Sequence, residues 1–131
     1  MYRRPGWQRH WTRLQQAALQ ELDAVTRRLP TELRNRARHI PVTLEPVPDK
    51  ELVDDGLEPD TLGLFVGESY SESAAGIENV PTQIILFLEN IWEYAGHDTA
   101  AYREEVRITY LHELGHYLGL DEDDLVRREL E

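Results

Sequence analysis

The chain contains no cysteine, which excludes disulfides and thiolate metal sites, so any bound metal must be held by His, Asp or Glu. Long hydrophobic runs are missing too. The longest uninterrupted apolar stretch is Ile84 to Leu88, far short of the roughly 20 residues that a membrane-spanning helix needs. The opening residues, Met1-Tyr2-Arg3-Arg4-Pro5-Gly6-Trp7, are basic but have no apolar stretch behind them, so they do not read as a secretory signal. No internal repeat or low-complexity tract interrupts the chain. The expectation is a soluble, cytoplasmic protein with no membrane partner.

Basic residues are scarce and unevenly placed. The formal net charge is −11. Residues 1–40 hold nine Arg against three acidic residues, whereas residues 41–131 hold five basic residues against twenty-two acidic ones. An acidic body repels phosphate backbones, so nucleic acid is not an expected partner. The basic N-terminal part either docks on the acidic body or presents a solvated helix face, and the second is the simpler reading. A length of 131 residues, 40% of them hydrophobic, suits one compact domain over 1–131, with residues 1–39 as a helical N-terminal segment packing on it.

From Trp7 to Leu29 the apolar positions Trp7, Trp11, Leu14, Ala18, Leu22, Val25 and Leu29 recur at steps of four and three. That period marks one face of a long amphipathic helix, and Pro30 ends it. The seam is expected to pack on its own domain; a coiled-coil homodimer is the alternative. Residues 40–48 alternate as a half-buried strand with prolines that favour an edge. Asp49 to Asp55 suggests a helical turn ended by Gly56. Leu62 to Val66 and Thr82 to Leu88 read as further strands, separated by a polar loop over Gly67–Asn79. Asn90 to Gly96 reads as a short helix or turn. Asp98 is suited to cap a second long helix that runs to about Leu118 and closes at Gly119, with one more short helix over Asp121–Leu130. The expected fold is α+β: helices at both ends around a small sheet of about three strands.

The second long helix carries the pattern His112-Glu113-Leu114-Gly115-His116. Residues four apart on a helix differ by about 40° around its axis, so both imidazoles project from one face and can fill two corners of a zinc tetrahedron. Glu113 lies on the flank of that face, close enough to reach a water at the metal. Ile108, Leu111, Leu114, Gly115 and Leu118 are expected to cover the opposite, buried side. Gly119, three residues past His116, can take the left-handed conformation that ends a helix, letting the following residues turn back towards the metal.

The segment from His112 to Leu125, with Leu62-Gly63-Leu64-Phe65-Val66-Gly67, Pro81 to Phe87 and Glu105 to Leu111, resembles the bacterial minimal zincins, a group of short zincin-like metallopeptidases. The resemblance covers roughly residues 40–125. It implies one zincin-like domain, a Zn²⁺ cofactor, ligands at His112 and His116, Glu113 as general base, and a peptide or protein as substrate. The family pattern, H-E-x-x-H-x-x-G-x-x-D, has an aspartate as third ligand where this chain has Glu122. Glutamate also offers oxygen but is longer by one methylene, and the flanking Asp123 and Asp121 are the next candidates. The only methionine is Met1, so the chain has no Met-turn of the kind that underlies the larger metzincins.

Other donors fit less well. Glu129 and Glu131 are weak candidates for a ligand on a following helix. His97 lies fifteen residues before His112, about 22 Å along a helix, and His10 and His39 have no ligand spacing. With three protein ligands a fourth position stays open, as catalytic zinc requires. Glu113 would then take a proton from the attacking water and return it to the leaving amine. Tyr94, Tyr110 and Tyr117 are candidate oxyanion donors. Gln83–Leu88 is the candidate for strand addition of a peptide, with an interior core strand as the equal alternative, and the Gly67–Asn79 loop is a candidate cover for the cleft. The serines of that loop lack the frame of a nucleophile elbow. Two rival readings are a catalytically weak or inactive interaction module and a calcium site in Asp121–Asp124, which lacks the spaced oxygens and central glycine of an EF-hand.

Overall fold

The computed structural model describes residues 6–67 and 82–119. Helix α1 spans Trp7–Arg28, within one residue of the periodic seam, and the seam is filled inside the chain. Leu14, Ala18, Val25 and Leu29 are buried, with Trp11 and Leu22 packed beside them. The coiled-coil alternative therefore has no free seam to use. Pro30 does more than end α1. Its φ of −53° suits a helix start, and its carbonyl accepts from Arg34 N–H at 2.9 Å. A second helix, α2 (Thr31–Ala37), follows at once, and the sequence pattern does not anticipate it.

Three strands follow: β1 (Val42–Glu45), β2 (Gly63–Val66) and β3 (Gln83–Phe87). Between β1 and β2 lies α3 (Lys50–Asp54), capped by Asp49, whose carboxylate accepts from Leu52 N–H at 2.9 Å. Immediately after β3 comes α4 (Leu88–Tyr94), so Leu88 opens a helix and does not end the strand, as its apolar run suggests. Last is α5 (Thr99–Leu118), which carries the His-Glu pattern.

The sheet has the order β1-β3-β2, with β1 parallel and β2 antiparallel to β3. β3 is thus the central strand, hydrogen-bonded on both sides. That overturns Gln83–Leu88 as a docking edge, because a strand with both ladders occupied has no backbone groups left to offer a peptide. Its alternate residues Ile84 and Leu86 are fully buried. Across the register Val42, Leu44, Gly63 and Phe65 share that face; α5 packs over it, and α1 packs in turn on α5.

α1 is tied to the rest of the chain by polar contacts as well as by its apolar face. Tyr102 of α5 donates its hydroxyl to the Leu14 carbonyl at 2.8 Å. Glu21 of α1 accepts from Arg103 at 2.8 Å and lies 3.7 Å from Arg107. In this cluster the acidic residue lies on α1 and the basic ones on α5, the reverse of a basic helix docked on an acidic body. Elsewhere on α1, Nε2 of His10 is 3.1 Å from both oxygens of Glu89 on α4.

Candidate metal centre

α5 has strong local reasons to form. Asp98 caps it, its carboxylate accepting from Ala101 N–H at 2.8 Å, and Gly119 closes it with a left-handed φ of 74°. The helix places His112, Glu113 and His116 together: one ligand atom from each lies within 4.8 Å of the others. The imidazole centroids are 4.7 Å apart with the rings tilted at 65°. Nδ1 of His116 is 3.2 Å from Oε1 of Glu113. Neither imidazole is buried, whereas the Glu113 side chain is only 10% exposed. Two imidazoles that are not buried thus stand beside a carboxylate held down on the body of the domain.

The buried arc of α5 differs from the expected one. Tyr102, Val106, Thr109, Tyr110, Leu111, Glu113, Leu114, Gly115 and Tyr117 are buried, but Ile108 is 41% exposed. Ile108 precedes His112 by four residues, so helix geometry puts it on the imidazole face, not behind it. Leu118 is only partly buried against the core.

Glu113 is held from behind by β2. A methyl group added at Gly63 would lie 2.6 Å from Thr109 Cγ2, 3.3 Å from Glu113 Cγ and 3.4 Å from Leu86 Cδ2. Thr109 and Glu113, one turn apart, therefore rest directly on the backbone of β2. Two residues further along the same strand face, Phe65 meets Tyr117 with ring centroids 6.1 Å apart. The sequence signal for this contact is a glycine inside a β-run, which marks a close backbone approach.

Of the candidate oxyanion donors, Tyr110 is excluded by its surroundings. It is buried, its hydroxyl shares a hydrogen bond with Thr26 of α1, and burial raises its pKa above the usual 10. Tyr94 is 68% exposed near the end of α4. Tyr117 is buried against β2. Glu122, Asp121 and Asp123 lie outside the described residues, as do the proposed last helix, the acidic calcium candidate and nearly all of the 67–79 loop. Among the described residues the cluster of His112, Glu113 and His116 is the one group of metal-binding type. His97 is engaged elsewhere, paired with Glu93 and stacked on Trp92, and His10 is bound to Glu89.

The donor set fits zinc, which takes imidazole nitrogen and carboxylate oxygen readily. A family model of zincin-like metallopeptidases matches residues 37–131. The chain belongs to the zincin-like metallopeptidase family. Its α+β fold, with a small mixed sheet and the metal-binding pattern on α5, is the zincin-like arrangement. The match begins at the end of α2, so α1 precedes the family segment and packs on it. Comparison with curated proteins gives no match. No helix among the described residues of this zincin-like protein is long and apolar enough to cross a membrane.

Proposed function

We propose that this protein is a zinc-dependent metallopeptidase that cleaves peptide bonds in the cytoplasm. The observation that carries the reading is the position of Glu113: a carboxylate 10% exposed, 3.2 Å from His116, beside two imidazoles that reach solvent. A site that merely stores a metal has no need of a third acidic group held in that place.

In this reading His112 and His116 hold the metal, and Glu122 completes the set. A zinc ion held there would supply Lewis-acid polarisation of a carbonyl and of water. Glu113 takes a proton from the attacking water and delivers it to the leaving amine, so that both halves of the reaction use one carboxylate. Its burial fixes the carboxylate in place and removes competing solvent.

The substrate is a peptide in extended form. β2 is the strand to which we assign it, since β2 is an edge of the described sheet and touches Glu113 through Gly63. Exposed Ile108 on the imidazole face adds an apolar contact to the approach.

The test is zinc content of the purified full-length chain together with turnover of a peptide library by wild type and Glu113→Gln. Stoichiometric zinc and cleavage that disappears in the variant support the enzyme. Zinc without cleavage, or no zinc at micromolar concentration, leaves a non-catalytic interaction module, a reading to which the unusual Glu122 lends some weight.

A further inference from the structure

We infer that Gly63 is a positioning residue for Glu113, acting through Thr109: the bare backbone of β2 at this point sets where the carboxylate of the metal helix stands. The inference rests on the metallopeptidase reading for its effect on turnover, but its steric part stands independently.

The space over Gly63 is too small for a side chain. A Cβ at Gly63 would sit 2.6 Å from Thr109 Cγ2, well inside the ~3.5–4.0 Å at which carbon atoms rest against each other. Thr109 has little freedom to yield. It is buried at 7% exposure, and its β-branched side chain is confined to few χ1 wells in a helix. Beside it, Glu113 Cγ would be 3.3 Å from the same Cβ. The stem of Glu113 thus leans on β2 while its head meets His116 Nδ1 at 3.2 Å. Between these two supports the carboxylate has one place to be. Any side chain at 63 pushes first on Thr109 and then, through the shared helix turn, on Glu113. His112 and His116 project from a neighbouring arc of the helix and are not buried.

The geometry supplies its own rescue. Replacing Thr109 by serine deletes Cγ2 and leaves Glu113 Cγ, at 3.3 Å, as the closest atom to a Cβ at 63, a crowding that a few tenths of an ångström relieve. Gly63→Ala should therefore lower kcat about a hundredfold, the loss typical of a displaced catalytic group, with zinc affinity changed by less than about threefold. Thr109→Ser alone should stay near wild type, and the double variant Gly63→Ala/Thr109→Ser should recover most of the loss.

The experiment measures kcat, zinc affinity, urea midpoint and the imidazole nitrogen resonances of His116 in the metal-free protein for all four chains. In Gly63→Ala those resonances shift, because Glu113 moves relative to His116 Nδ1, and in the double variant they return. Wild-type turnover in Gly63→Ala, or a loss that Thr109→Ser fails to repair, overturns the inference. Should the wild type cleave nothing, the resonances and urea midpoints still decide: non-additive effects of the two substitutions support the contact, and additive ones refute it. If Gly63→Ala does not fold, folding of the double variant supports the inference and its failure to fold overturns it.

Discussion

The metal helix is fastened to α1 by two tyrosine hydroxyls, and raising the pH should loosen that attachment in a calculable way. Tyr102 is 1% exposed and donates to the Leu14 carbonyl; Tyr110 is 3% exposed and shares a hydrogen bond with Thr26. Burial pushes both hydroxyls above the usual pKa of 10, and the negative charge of Glu89 adds to the effect at Tyr102, partly offset by Arg103. The folded state therefore keeps both groups protonated at a pH where the unfolded chain has lost those protons. Stability from this source is complete below about pH 10 and falls as pH rises towards the folded-state values, by at most about 1.4 kcal/mol per pH unit for one tyrosine. Tyr102, the more strongly shifted, sets most of the slope, and Tyr110 adds to it in the same direction. Lys50, the chain's single lysine, is 87% exposed at its side chain, so it contributes little to the slope. Tyr102→Phe should cost about 1 kcal/mol near neutral pH through the lost hydrogen bond, yet flatten the alkaline slope. Urea unfolding followed by circular dichroism from about pH 8 to 11 measures both quantities. Equal slopes in wild type, Tyr102→Phe and Tyr110→Phe would refute the argument, as would tyrosinate absorbance from these residues appearing at the usual pKa in the folded protein.

Three further outcomes follow from the geometry. Glu113→Gln keeps the shape of the buried side chain and removes its basicity, so peptide turnover should fall by about 10²–10⁴ with zinc still bound, read by steady-state kinetics alongside metal analysis. Gly119→Ala places a Cβ at a φ of 74° and should cost about 1 kcal/mol, measured as a lower urea midpoint. Leu86→Ala opens a cavity beneath the contact of Gly63 with the metal helix, where Leu86 is fully buried. It should cost about 2–5 kcal/mol, seen as a lowered melting temperature, and its effect on kcat should follow any displacement of Glu113.

The sequence by itself determined what is local. Helices are specified by neighbours within a turn or two, so the seam of α1, the cap at Asp98, the stop at Gly119 and the shared face of His112 and His116 are all legible in the residue pattern. α2 is harder to see because Pro30 reads first as a stop, although the same fixed φ that ends one helix can open the next. Ile108 looks like a core residue because it is apolar, yet its four-residue offset from His112 assigns it to the imidazole face. Only the tertiary structure could decide the rest. Strand order depends on pairing between residues about forty positions apart, as between Val42 and Ile84, and no periodicity encodes it, so the central place of β3 cannot be read from its own residues. The same holds for Glu113. The pattern of the metal helix states which carboxylate is present, but what holds it is Gly63, fifty residues earlier, on a strand brought beneath the helix by the sheet.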